Sequence, residues 1–231
     1  MATIFSGTND GYVALGLGTS FSAIRQGDTS TGGVLSFDSN NLRDVIPVTS
    51  FHSTRGGPSS YGLRRSFFEF DTSGISDTPD DAVLRIYGFS QSSADVIVVR
   101  GEQGGTLSTG DFDSFPSAAV TALGNSDGTG TGTFAGISGL TYSAELTSWT
   151  TSGFNTITLN ATALADMVSL DLFKVCLMEY DHDYLDIVGS GIQSVGFWWT
   201  EADDTERDPK IVYTPATAAV TDNAVFFGSN F

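Results

Sequence analysis

Short stretches of alternating or continuously apolar residues, each closed by a glycine-bearing turn, run through most of this chain, and that cadence limits what it can fold into. In Arg65 to Phe70, Ser66, Phe68 and Phe70 share one face of an extended segment while Arg65, Phe67 and Glu69 share the other. In Ala82 to Tyr87, Leu84 and Ile86 fall on one face. Val96 to Val99 is continuously apolar, the pattern of a strand covered on both sides. Gly11 to Leu15, Val34 to Phe37, Thr156 to Leu159, Phe173 to Glu179, Val195 to Thr200 and Lys210 to Tyr213 complete the set of expected strands. The turns between them include Asn9-Asp10-Gly11, Gly32-Gly33, Gly56-Gly57-Pro58, Gly104-Gly105 and Asp127-Gly128. One helix is expected, from Asn160 to Val168: Asn160 caps its first turn, and Leu164, Met167 and Val168 share a face. Short strands at this spacing predict an all-β chain, an antiparallel β-sandwich or jelly roll with one short helix. The domain is expected to span 1–213. Residues 214–231, where Ala, Thr and Pro increase, are expected to form an extended C-terminal tail. The Gly/Thr-rich stretch 124–133 has nothing to bury and reads as a loop or a β-arm.

Composition removes most chemistry. The single cysteine, Cys176, excludes an intrachain disulfide or a thiolate cluster, and its apolar neighbours mark it as core. His52 and His182 are the only histidines, so a nucleophile–histidine triad has almost no material. The glycine-rich stretches lack the Lys-Ser/Thr ending of a phosphate loop. Nothing singles out a glycosidase-like pair among the 27 acids. No catalytic residue is assigned, and the chain is read as non-enzymatic. With 27 acidic against 10 basic side chains, a net charge of −17 argues against a nucleic-acid partner. A hydrophobic fraction of 40% separates it from acidic disordered chains. Met1 to Asp10 hold neither a basic nor an apolar leader segment, so no secretory signal is expected. No window approaches the roughly 18 apolar residues of a membrane helix, so no membrane partner is expected.

Three groups of residues invite a function. Asp181, Asp183 and Asp186, with Asp203 and Asp204, form two acidic clusters that read either as solvated turns or as a structural Ca²⁺ site; neither has the spacing of an EF-hand. No other cofactor is expected. The run Phe197-Trp198-Trp199 must turn at least one indole away from the core if it is a strand. Trp198, Trp199 and Trp149 are therefore candidates for a glycan platform or a subunit interface, with coverage by the domain's own loops the plainer reading. The tail carries Val225, Phe226, Phe227 and Phe231, apolar side chains that suit docking on a neighbouring subunit better than exposure to water.

The order of segments also resembles the disaggregatase-related, or DNRLRE-type, jelly-roll modules, relatives of carbohydrate-binding jelly rolls. The residues that carry the resemblance run from Asp10 to Val13, Arg65 to Asp71, Ala82 to Tyr87, Thr147 to Asn160 and Arg207 to Tyr213. A long insert from Phe37 to Tyr61, the Gly/Thr stretch and the tail depart from the pattern. The shared motifs are structural aromatics, so the resemblance implies a fold and only loosely a role. Such modules sit on phage virions and cell surfaces. The expected role is a structural protein of a bacteriophage virion, most directly a capsid decoration or cement protein. It would be made in the host cytoplasm and exposed on the particle. Its expected partners are copies of itself, as a homo-oligomer such as a trimer, and other virion proteins such as the major capsid protein. The alternative is a carbohydrate-binding module of a tail or cell-surface protein, with surface glycans as partner.

Overall fold

A computed structural model of the chain describes residues 1–27, 43–54, 57–123, 132–199 and 206–217. Among them are ten strands in an antiparallel β-sandwich, in the order β1-β10-β5-β9-β3-β4-β8-β6. They are β1 (Ala2–Phe5), β2 (Gly11–Gly18), β3 (Arg43–Ser53), β4 (Ser60–Asp71), β5 (Asp81–Ser92), β6 (Val96–Arg100), β7 (Phe154–Thr158), β8 (Leu172–Glu179), β9 (Gly191–Trp198) and β10 (Lys210–Thr214). In addition, β2 pairs with β4 and β7 with β5. The expected strand Val34 to Phe37 and the stretch 124–131 lie outside the described residues.

β5 belongs to two sheets. Its residues up to Tyr87 pair with β10 and β7 in a small outer sheet, and from Gly88 onward it pairs with β9 in the larger central one. The changeover falls at a register irregularity between Gly88 and Ser90. Gly88 is required there, because a Cβ would collide with the Thr150 carbonyl and the Asn155 amide.

The central sheet is apolar on both faces. Along β4, Phe68 and Phe70 point into one cluster with Leu84, Ile86, Phe197 and Trp199, while Leu63 and Phe67 point into another. β6 and β8 alternate in the same way: Val96, Val98, Val175 and Leu177 on one side, Ile97, Val99, Cys176 and Met178 on the other. The outer sheet and helix α3 (Ala161–Ser169) cover the first cluster. The second is roofed by α1 (Phe21–Arg25), a 3₁₀ turn at Thr109–Asp113, α2 (Ser117–Leu123), Phe134 and a turn at Tyr180–Tyr184. The molecule thus has three layers rather than a plain two-sheet sandwich.

Asn160 caps α3 as expected: its Oδ1 accepts the Ala163 amide at 3.1 Å, and its Nδ2 donates to the Thr141 carbonyl at 2.7 Å. β3, in contrast, lies inside the segment expected to be an insert. Pro47 argues against a central strand, and the sheet accommodates it through an irregular register with β9 between Asp44 and Val48. No helix among the described residues is long and apolar enough to cross a membrane.

Candidate interaction surface

The outer sheet has one dry side and one wet side. Ile4, Ile211, Leu84 and Ile157 stand in register across β1, β10, β5 and β7 and face the first core. The next register row, Phe5, Lys210, Arg85 and Thr156, therefore faces out, followed by Tyr87 and Phe154. Cations and rings alternate on this outer face. The Lys210 ammonium lies 4.3 Å from the Phe154 centroid and 5.3 Å from that of Phe5. The Arg85 guanidinium sits 4.6 Å from Phe154. At the rim, Arg207 lies 4.5 Å over Trp198 and 5.3 Å over Tyr87. Phe5 is 41% exposed. No acid occurs between Val83 and Tyr87, Lys210 and Val212, Thr3 and Phe5, or Phe154 and Thr158.

Neither Arg85 nor Lys210 forms a salt bridge among the described residues. The Lys210 amine is held below its ordinary range, first by partial burial and then by the Arg85 charge, with Asp208 pulling the other way. Arg85 Nε is buried without a hydrogen-bond partner among the described residues. The face thus holds a cation pair spread over aromatic rings. Sequence reasoning found Trp198 but missed the rest. Arg85, Lys210 and Phe154 come from three strands, and only the register brings them together.

The three tryptophans separate. Trp199 is 3% exposed, with Phe197, Phe68 and Tyr12 centroids at 4.8, 5.4 and 6.4 Å; Trp149 is 7% exposed and 6.3 Å from Phe197. Both belong to the first core, which leaves neither indole a face on which a sugar could stack. Trp198 alone is half-buried at the surface, against Arg207 and the Phe89 edge. Val225, Phe226, Phe227 and Phe231 lie outside the described residues.

The acidic cluster at Asp181 to Asp186 is built around a single helical turn. The amide of Leu185 bonds the Tyr180 carbonyl at 2.9 Å, five residues back, making one π-helical turn. Glu179 organises it by accepting the amides of Asp181, His182 and Asp183 at 3.3, 2.6 and 3.3 Å. The turn delivers Asp183 into the second core, where Arg65 grips both carboxylate oxygens at 2.7 and 2.6 Å. Arg65 also donates to the carbonyls of Phe112 and Arg25 at 2.7 and 2.9 Å, and lies 4.0 Å over the Phe112 ring. Arg25 Nε donates to the Asp183 carbonyl at 2.5 Å, and its Nη1 stands 3.6 Å from Asp186.

Asp183 is therefore occupied by arginine, and Asp181 stays at the half-exposed surface. Among the described residues no three His, Cys, Asp or Glu side chains converge as metal ligands. Asp203 and Asp204 lie outside the described residues. Burial pushes the Glu179 carboxyl up to about 7 against its three amide donors, and pushes the Cys176 thiol well up. Arg65, Asp183 and Glu179 are at most 1% exposed, so the cluster is structural rather than a reaction site. A groove of about 440 Å³ between β6 and the end of α3 is lined by charges that already pair: Arg100 meets Glu102 and Asp166, each at 3.3 Å, and Lys174 donates to the Gln103 carbonyl at 2.7 Å.

No family model and no curated protein matches the chain.

Proposed function

We propose that this chain is a non-enzymatic structural component of a bacteriophage virion, a decoration or cement protein that works by assembly. The observation that carries the reading is the outer face of the small sheet. Its exposed phenylalanine, its half-buried rings and the cations stacked on them have the composition of a protein interface. The rest of the molecule points the same way. Both faces of the central sheet are used internally, and the ionisable groups of the second core are sealed. β10 ends at Thr214 beside Asp80 and Asp81, and the sequence beyond it carries Val225, Phe226, Phe227 and Phe231, apolar side chains that suit docking on a neighbour. The resemblance to jelly-roll modules of virions and cell surfaces supports the same role. A glycan-binding role has lost two of its three indoles to the core, and the third is covered by Arg207.

Antibody raised against the chain tests the reading on particles purified from the infected host. Regular gold labelling of the capsid in the electron microscope is the expected result. Particles free of label, with the protein recovered only from the soluble fraction, overturn it.

A further inference from the structure

The outer face of the small sheet is out of balance with its own molecule. Two of the ten basic residues, Arg85 and Lys210, stand side by side on it in a chain of 27 acids, and Asp208 is the acid that acts on Lys210. Aromatic stacking holds Arg85 and Lys210 in place but does not neutralise them, and neither forms a salt bridge among the described residues. The opposite imbalance occurs where β6 begins, on the strand at the other end of the strand order. There Val96 bridges Leu146 and pairs with Glu179, and the Tyr180 amide donates to the Asp95 carbonyl at 2.8 Å, which gathers Asp95, Glu145 and Asp181 at one corner of the sheet. The Glu145 carboxyl is accordingly pushed up, first by burial and then by Asp95. None of the three pairs with a cation among the described residues.

We propose that the outer face of the small sheet, through Arg85 and Lys210 with Phe5 and Phe154, docks head to tail on the Asp95–Glu145–Asp181 surface of a second copy of this chain. The occupant follows from charge. A symmetric pairing would set this basic face against itself, whereas a head-to-tail contact brings each like-charged cluster to its opposite. Rings fill the contact that the charges orient, and Phe5 gains the cover it lacks in the single chain. A head-to-tail interface repeats, closing into a ring or extending as a row. The inference rests on the assembly role proposed above and adds its partner and polarity. It does not use the tail.

Sedimentation velocity on the full chain tests it. Association is expected at about 20 mM salt and should weaken at least about tenfold at about 500 mM, where the Debye length falls to a few ångströms. The variant Arg85→Glu/Lys210→Glu and the variant Glu145→Lys/Asp181→Lys should each sediment as monomers, with melting curves showing that both are folded. An equal mixture of the two should form a dimer, because one intact basic face meets one intact acidic surface. A wild-type monomer at every salt concentration overturns the proposal, as does association unchanged in the first variant. Retention on heparin without self-association also overturns it, and assigns the face to a free polyanion. The full chain with Phe226→Ser/Phe227→Ser separates this contact from the tail. If that variant still associates in a salt-sensitive way, the sheet contact stands and the tail reading falls. If it is monomeric while Arg85→Glu/Lys210→Glu associates, the reverse holds.

Discussion

Arg65 and Asp183 illustrate what a single buried pair demands. Both are essentially unexposed, and four guanidinium bonds hold Arg65 to Asp183, Phe112 and Arg25. A buried pair of this kind adds little over an apolar replacement of the same volume, yet removing one partner strands a charge in the core. Asp183→Asn should therefore lower the unfolding free energy by about 3–5 kcal/mol. Arg65→Met combined with Asp183→Leu should lose far less than the sum of the two single changes. Urea unfolding of the two singles and the double closes the cycle, and additive losses would show that the pair is not coupled. Little of this was readable beforehand. Arg65 looked like the polar position of an alternating strand, and Asp183 like one acid in a surface cluster. Their contact spans 118 positions of sequence. Nor does an aspartate in a five-residue stretch of mixed polarity announce that a π-helical turn will aim it inward. The one sign was that Arg65 alternates with Phe67 in a strand whose other face is also apolar.

At the scale of elements, legibility followed how locally each element is determined. Asn160 and the Leu164, Met167, Val168 face are local signals, and α3 formed where they put it. Val96 to Val99 read as covered on both sides, and its residues divide between the two cores. β3 was missed because Pro47 breaks the local pattern while the sheet supplies partners on both sides. The α1 and α2 roof was missed because helices of five and seven residues have too little periodicity to detect and hold only by packing on the second core. Gly88 marks the junction where β5 passes from one sheet to the other. Gly88→Ala forces the Thr150 carbonyl and the Asn155 amide apart, and Asn155 otherwise braces this corner by accepting the Thr150 amide at 2.7 Å. The expected cost is about 1–3 kcal/mol, as for overpacking elsewhere in a core. Alanine at Gly57, where a Cβ meets nothing, should be nearly neutral. Thermal melts of the two variants should differ in that order; equal melting temperatures would mean that the corner relaxes freely.

For the whole molecule, the net charge of −17 acts on stability as well as on partners. Acidification removes self-repulsion from so acidic a chain. Buried carboxyls act in the same direction. Glu179, at about 7 in the folded protein against an ordinary 4.5, binds its proton more tightly folded than unfolded. Asp186 is also raised, by burial first, with Arg25 opposing. The stability tied to such groups is fully present below their unfolded values and is lost as pH rises through the folded ones. Asp111 opposes this at the acid end. Four hydrogen bonds from Gly104, Ser108 and Ser114 hold it low despite burial, so its contribution is present above the ordinary aspartate value and lost as pH falls below it. Stability should therefore rise from pH 7.5 to a maximum near pH 5 and decline under stronger acid. The Glu179 part of that rise is bounded at about 3 kcal/mol by the size of its shift. Urea midpoints measured across this range should show the rise in the wild-type chain. Glu179→Gln, which fixes the neutral form, should be more stable than wild type at pH 7.5 and should flatten the rise. A variant that keeps the full wild-type slope would move the effect from the π-helical turn to the diffuse surface charge. Raised salt, which screens surface charge but not the buried carboxyl, would then abolish the rise.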